Sequence, residues 1–279
     1  MRIARHGAPG AERPVVSGAD GVWRDLSSVV DDVTPATLAR VLALGPGDVV
    51  ALPEAAAADR VGPPVARPGK VVCIGVNYRA HAAETSHDEP SEPVVFLKTA
   101  QTVVGPDDEV LIPRGSTKTD WEVELAVVIG REARYLASPA EARACVAGYT
   151  ISNDVSEREL QLERGGTWDK GKNCETFNPL GPWIRTADEV PDPQALGLRL
   201  RVDGVGRQDS STAAMIFGVD HLVWYLSQVM VLEPGDVINT GTPSGVALGL
   251  PDHPYLRPGN VVELEIDGLG RQRQTMGAA

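Results

Sequence analysis

Asp120-Trp-Glu-Val-Glu-Leu-Ala-Val-Val-Ile129 is the stretch whose reading decides the fold. Residues two apart in a β-strand point the same way, so Glu122 and Glu124 share a face. Their neighbours Val123, Leu125, Val127 and Ile129 place the segment in a core. Two carboxylates side by side in such a setting repel each other and lose hydration, so something must neutralise them. A hard divalent cation does so, because Mg²⁺, Mn²⁺ and Ca²⁺ all favour oxygen ligands. A third acid, Asp154, closes the apolar stretch Tyr149-Thr-Ile-Ser-Asn-Asp154 nearby, which makes Glu122, Glu124 and Asp154 the expected metal ligands. Spacing alone does not carry this reading. Glu263 and Glu265 repeat it in Val262-Glu-Leu-Glu-Ile266 and read as surface residues. What separates the first pair is Trp121 before it, the unbroken Leu-Ala-Val-Val-Ile after it, and the third acid.

Outward from that strand, Ser138-Pro139-Ala140-Glu141 reads as a capping-box start, with a helix running to Gly148 and leading into the Asp154 strand. Leu222, Tyr225, Leu226 and Val229 recur at helical spacing, so 220–230 is an amphipathic helix on the sheet. Leu198-Arg-Leu-Arg-Val202 before Asp203-Gly204, and Val262–Ile266 before Asp267-Gly268, alternate strictly and read as half-exposed strands entering hairpin turns. Near the N-terminus, Ala19-Asp20-Gly21 and Pro46-Gly47-Asp48 read as turns between short strands, and Thr34 to Leu44 as a small helix. The proline-rich Val61–Gly69 is a stiff connection. The expected organisation is a small N-terminal domain over 1–65 and a catalytic domain over 70–279. Strands dominate without a βαβ rhythm, which implies a β-rich α+β fold with a few peripheral helices and not a doubly wound sheet.

The chain's 279 residues can bury a full core. A formal charge of −12 and the lack of a basic run argue against nucleic-acid partners. The three cysteines, Cys73, Cys145 and Cys174, lack CxxC spacing, which fits a reducing compartment and excludes a cysteine zinc site. Without an apolar signal region or membrane-spanning run, a cytoplasmic, membrane-free protein is expected.

His81 and Glu84 stand three apart, on one face if the segment is helical, and such a pair can hold an imidazole as a general base. An incidental surface ion pair is the commoner origin of a lone pair of this kind. The polar stretch Thr85-Ser-His-Asp-Glu-Pro-Ser-Glu-Pro93 that follows reads as a mobile loop, so a base there would ride on a lid. Lys172 lies in Trp168-Asp-Lys-Gly-Lys-Asn-Cys-Glu-Thr-Phe177, a segment too polar for a core. It is either a surface lysine or a cation for a substrate carboxylate or enolate. Lys98, after Val94-Val-Phe-Leu97, has the same two readings and is counted with the substrate contacts. Thr240-Gly-Thr-Pro-Ser-Gly-Val246 is a Gly-rich turn whose N–H groups, with the Thr242 hydroxyl, could bind a carboxylate. His6, His87, His221 and His253 have no partner pattern and read as structural or surface. GxSxG, GxGxxG and HExxH are all lacking, which leaves serine hydrolase, dinucleotide enzyme and zinc protease without support.

Together these residues resemble the fumarylacetoacetate hydrolase family from Lys70 to about Met276. The resemblance rests on Gly75-Val-Asn-Tyr78 with His81 and Glu84, Asp120-Trp-Glu-Val-Glu-Leu125, Asn153-Asp-Val-Ser-Glu-Arg158, Gly171-Lys172, Pro179-Leu-Gly-Pro182 and Thr240-Gly-Thr-Pro243. It implies a mixed β-sandwich roll, a homodimer, and Mg²⁺, with Mn²⁺ or Ca²⁺ as possible substitutes. It puts the metal ligands on Glu122, Glu124 and Asp154, a catalytic dyad on His81 and Glu84, and the active-site lysine on Lys172. Substrate contacts fall on Arg158, Gln161 and Thr242. Thr99 departs from the proline many relatives carry after the lysine, and the first 60 residues match loosely. The resemblance implies cleavage of the C3–C4 bond of a 2,4-dioxo acid to pyruvate and a second acid. The segment Glu163–Lys172 looks most like members acting on 2,4-dioxo-3-deoxy sugar acids, a group that also carries ureidoglycolate lyase labels. Oxo-acid decarboxylation, tautomerisation or isomerisation is the alternative within enzymes, and a non-catalytic oxo-acid-binding protein is the reading outside them.

Overall fold

In the computed structural model, which describes residues 1–279, β1 (Arg2–His6), β2 (Arg13–Ser17) and β3 (Trp23–Asp25) precede α1 (Leu38–Leu42) and α2 (Pro46–Ala51). Next come β4 (Val71–Gly75), α3 (Arg79–Glu84), β5 (Val94–Lys98), β6 (Val110–Ile112) and the central β7 (Val123–Ile129). After α4 (Pro139–Ala142) follow β8 (Val146–Asn153), α5 (Asp169–Lys172) and β9 (Asn178–Thr186). The hairpin of β10 (Gly197–Val202) and β11 (Val205–Ser211), then α6 (Val219–Val229) and β12 (Val237–Asn239), lead to the hairpin of β13 (Val261–Ile266) and β14 (Gly270–Ala278). The fold is β-rich and mixed, with few short helices, as the strand patterns imply.

The larger sheet runs β3-β2-β1-β9-β8-β7-β12-β4-β5, and the smaller runs β11-β10-β13-β14-β6. Neighbours on the larger sheet are antiparallel except β12 and β4. Val123, Leu125, Val127 and Ile129 of β7 enter the main core, which also takes Leu198, Leu200, Leu264 and Ile266 from the smaller sheet. The opposite face of β7 carries Glu124, then Ala126 in a small cluster with Val71, Cys73 and Phe96, then Val128 in a third cluster. That third cluster holds Ile3, Val16, Leu26, Leu38 and Val41, so the N-terminal strands and α1 pack on this same sheet. The sheet is continuous across the join, because β1 pairs with β9.

Local readings differ from the structure at three places, one being Ser138, whose side chain makes no cap bond. Pro46-Gly-Asp48 opens α2 and is not a turn between strands: Asp48 Oδ2 accepts from the Gly45 N–H at 2.9 Å, which caps the first turn. The helix that begins at Pro139 stops at Ala142, and after one 3₁₀ turn Val146 already belongs to β8. Gly148 is therefore no helix stop. A Cβ at that position would collide with the Arg185 carbonyl of β9, so the glycine serves the close approach of two strands. No helix is long and apolar enough to cross a membrane.

Candidate active site and metal centre

Cross-strand register builds the centre of the site. Val123 pairs with Asn153 and Glu124 with Ser152, and the Asp154 N–H donates to the Glu122 carbonyl at 2.9 Å. Asp154 thus lies opposite Glu122, on the face that Glu122 and Glu124 share. Oxygens of the three carboxylates lie within 4.8 Å of one another, and all three residues are buried.

Lys172 Nζ stands between two of them, 2.8 Å from Glu122 Oε2 and 3.1 Å from Asp154 Oδ2. It is 2% exposed, so the polar segment around it does enter the core. Gly171 makes this possible: a Cβ there would strike the Glu157 carbonyl and Gln161, and without one α5 seats closely enough to deliver the lysine. The ammonium also lies 4.9 Å from the centroid of the Phe96 ring. Lys98 sits behind Asp154. It forms an ion pair with Oδ1 and donates to the carbonyls of Val155 and Phe177 at 3.1 and 2.6 Å. With its three donors engaged and its side chain fully buried, it braces Asp154 and does not reach the pocket as a substrate contact would.

Arg158 does line the pocket, but each of its nitrogens already has a partner. Nε donates to Asp120 Oδ2 at 2.9 Å, Nη1 to Gln161 Oε1 at 2.9 Å, and Nη2 lies 2.8 Å from Glu122 Oε1. Asp120 was not singled out by sequence reasoning. It is fully buried, and besides Arg158 it accepts the N–H groups of Ala247 and Leu248 at 2.8 and 3.0 Å. Its signal was an acid immediately ahead of Trp-Glu-Val-Glu, a run in which two other acids already drew attention.

Four acids of this cluster, Asp120, Glu122, Glu124 and Asp154, face three cations, Lys98, Arg158 and Lys172. Glu124 is the acid without a cationic side chain beside it. Its partner is the Gly241 N–H, 2.7 Å from Oε2. Burial pushes the Glu124 carboxyl well above the ordinary range, and the neighbouring charges of Asp154 and Glu122 push it further. Burial also pushes Glu122 upward, but Lys172 and Arg158 outweigh it and bring that carboxyl down to about 2. An all-oxygen set short of one positive charge fits a hard divalent cation, which Glu122, Glu124 and Asp154 would hold.

His81 lies across the pocket on α3, 8% exposed, with Nδ1 2.9 Å from Glu84 Oε1. An ionised carboxylate only accepts, so Nδ1 carries a proton, and in the neutral ring the free lone pair is on Nε2. Glu84 is held in turn by the Gly245 N–H, 3.0 and 2.9 Å from its two oxygens. The Gly-rich turn thus binds carboxylates as its composition suggests, but they are the protein's own, Glu124 through Gly241 and Glu84 through Gly245. Thr242 lines the pocket with its hydroxyl committed, donating to the Val123 carbonyl at 2.9 Å and accepting from Gln208 Nε2 at 2.8 Å.

A cleft lies over these groups. Its apolar walls include Ile74, Phe96, Leu162, Trp168 and Leu248. Trp168 lies so close to Gly75 that a side chain there would overlap the indole, and its ring meets Phe96 edge-on at 5.6 Å. Neither Trp168 nor Gln208 was flagged by sequence reasoning, because neither belongs to a spaced pattern. His87 is exposed, as its reading as a surface residue implies, yet it stands on the wall of this cleft with Thr85. His6, His221 and His253 take no part in it.

Comparison with known proteins agrees with this geometry. Residues 70–276 match the fumarylacetoacetate (FAA) hydrolase C-terminal family model, and the chain belongs to that family. A curated protein of Burkholderia multivorans with a provisional hydrolase name is 51% identical over 285 residues, covering 100% of both chains. The solved fumarylacetoacetate hydrolase of Exiguobacterium antarcticum matches with a TM-score of 0.86 at 34% identity, over 100% of both chains. The 5-carboxymethyl-2-hydroxymuconate delta-isomerase of Mycobacterium smegmatis matches with a TM-score of 0.77 at 32% identity, over 100% of this chain and 99% of that one. Maleylpyruvate hydrolase from Sphingobium sp. SYK-6, solved with manganese(II) and pyruvate, matches with a TM-score of 0.79 at 28% identity, over 100% of both chains.

Proposed function

We propose that this protein is a divalent-metal-dependent hydrolase that cleaves the C3–C4 bond of a 2,4-dioxo acid, releasing pyruvate and a second carboxylic acid. The observation that carries the reading is one cleft holding an oriented base, His81 on Glu84, opposite a carboxylate cluster with a buried ammonium, Lys172. Mg²⁺ held by Glu122, Glu124 and Asp154, with Mn²⁺ or Ca²⁺ as substitutes, would supply the charge that binds the 1-carboxylate and 2-oxo group and stabilises an enolate.

The chain's own residues do the rest. His81 Nε2 takes a proton from water, and Glu84 and Gly245 fix the ring for that transfer. The hydroxide adds to C4. As the C3–C4 bond breaks, its electron pair moves to C3 and onto the 2-oxo oxygen, where the Lys172 ammonium offsets the charge. The proton returns from the imidazolium to C3, which completes pyruvate and leaves the acyl half as an acid. Phe96, Trp168 and Leu248 keep bulk water from the enolate.

The match to a solved delta-isomerase favours a second reading, in which the same site moves a proton within an oxo acid without an attacking water. The purified, Mg²⁺-loaded protein is incubated with acylpyruvates, 2,4-dioxo sugar acids, oxaloacetate and an enol substrate, with and without chelator. Pyruvate with its co-product acid supports the hydrolase. Release of CO₂, or a shifted double bond with no second product, overturns it.

A further inference from the structure

Glu122 stands at a break in its strand. Thr119–Asp120 pairs with Ser156–Glu157, β7 begins at Val123, and Trp121 and Glu122 lie between the two. On one edge β12 ends at Asn239, opposite Ala126, so no strand covers the entry to β7 there. A main chain so placed must find its hydrogen bonds elsewhere. Val123, the residue between the two glutamates, is gripped at both its polar groups. Its N–H donates to Gln208 Oε1 at 2.9 Å, and its carbonyl accepts from the Thr242 hydroxyl at 2.9 Å. The Glu122 N–H donates to Asn153 Oδ1 at 3.1 Å.

Gln208 is the one buried residue of β11. Its Nε2 spends both protons on the turn after β12, on Thr242 Oγ1 and the Pro243 carbonyl, each at 2.8 Å. Reversing the amide would set its NH2 against the Val123 N–H, so the orientation is fixed. Gly245 lets strand and turn meet: its φ is 105°, and a Cβ there would strike the Arg207 carbonyl. On the other side Asn153 Nδ2 donates to Gln274 Oε1 at 3.0 Å, and Gln274 Nε2 donates to the Pro106 carbonyl and to Gln272 Oε1. Gln272 and Gln274 hold inward positions of β14, where apolar residues would ordinarily stand. Buried amides cost free energy unless each polar group finds a partner, and here the partners lead to one place, the main chain at Glu122 and Val123. Being neutral, these amides leave the charge count of the acids untouched and act on where the carboxylates stand.

We propose that Gln208 is a positioning residue for the metal centre. With the Asn153–Gln274 pair opposite, it clamps the Glu122–Val123 main chain so that Glu122 and Glu124 converge on one cation. This rests on the reading of Glu122, Glu124 and Asp154 as metal ligands and adds the part that holds their spacing.

The test titrates Mn²⁺ calorimetrically into the parent, Gln208→Met, Gln274→Met and a control, Gln194→Met. The Gln194 amide likewise holds a main-chain N–H, that of Val219 at 2.8 Å, but lies off the cleft. Gln208→Met weakens Mn²⁺ binding by about tenfold to a hundredfold, Gln274→Met by about threefold or more, and Gln194→Met leaves it unchanged. At saturating metal the electron paramagnetic resonance spectrum of Mn²⁺ changes in Gln208→Met, which a loss of stability alone would not produce. If Gln208→Met does not fold, Gln274→Met carries the comparison. Parent-like affinity in the folded variant, or an equal loss in Gln194→Met, overturns the assignment. The parent gives a reading that needs no variant: the Glu122 and Val123 amides resist hydrogen exchange as strongly without Mg²⁺ as with it. Protection that appears only with the cation would mean that the metal orders the segment, and overturns the assignment too. A parent that binds no Mn²⁺ sinks the metal reading and this assignment together, whereas one that binds it yet cleaves no 2,4-dioxo acid sinks the hydrolase reading alone.

Discussion

Glu-x-Glu occurs among apolar residues both at the entry to β7 and within β13, and the fold puts the two to opposite uses. Glu263 and Glu265 are partly exposed and lie in register with Arg273 and Arg271 on one side and Arg201 and Arg199 on the other. Their ion pairs, 3.9 Å to Arg273 and 3.0 Å to Arg271, lie where solvent screens them. Glu122 faces Asp154 across the ladder, and Glu124 faces Ser152. An identical spacing thus gives a solvated ladder where the partner strands bring arginines, and a cation-seeking cluster where the partner brings another acid. What each strand is paired with decides the chemistry, more than the motif does.

Breaking the buried pair has the largest expected effect. Glu122→Gln or Glu124→Gln lowers kcat/KM by about a thousandfold or more, and Mg²⁺ affinity measured by calorimetry falls with it. His81→Ala separates the two halves of the site. Turnover drops by about 10²–10⁴-fold while Mg²⁺ affinity holds, and an unchanged rate would remove His81 from water activation. Lys98→Met leaves Asp154 buried beside an apolar side chain, at a cost of about 3–5 kcal/mol in unfolding free energy read by urea titration.

A smaller effect appears in the metal-free protein. The Glu124 carboxyl is raised above its ordinary 4.5, so the folded state holds that proton more tightly than the unfolded one does. Its contribution is complete below pH 4.5 and is lost as pH rises through the raised value. Glu124→Gln flattens that decline in thermal melts across pH 5–8, and a slope identical to the parent's would contradict the charge shortage at Glu124. Glu263→Gln and Glu265→Gln sit at the bottom of the scale, within about 0.5 kcal/mol in stability and with unaltered turnover.

The strand character of β7, β10, β13 and α6's apolar stripe was legible because each rests on local periodicity. So was the grouping of the three buried acids that could hold a metal, through the apolar run around two of them and the third acid ending another such run. Other features depend on pairings that no local pattern encodes. That Asp154 faces Glu122 follows from the β7–β8 register, and that β1 joins β9 follows from strands far apart in sequence. The burial of Lys172 was not legible from its segment, because a polar segment normally marks the surface, and that burial is compensated by two acids, one of them 50 residues away. Gly148 was misread because a helix stop and a close strand approach call for the same residue. Lys98 pointed to the right neighbourhood and the wrong task, since only three dimensions reveal that its protons are already shared out.

The turn from Thr240 to Gly245 grips Glu124 at one end and Glu84 at the other. The distance from base to carboxylate cluster is thus set by a few peptide units of one loop, a built-in gauge block between two working parts. Lengthening that loop by one residue would leave every side chain of the site in the sequence and still shift its two halves out of mutual alignment.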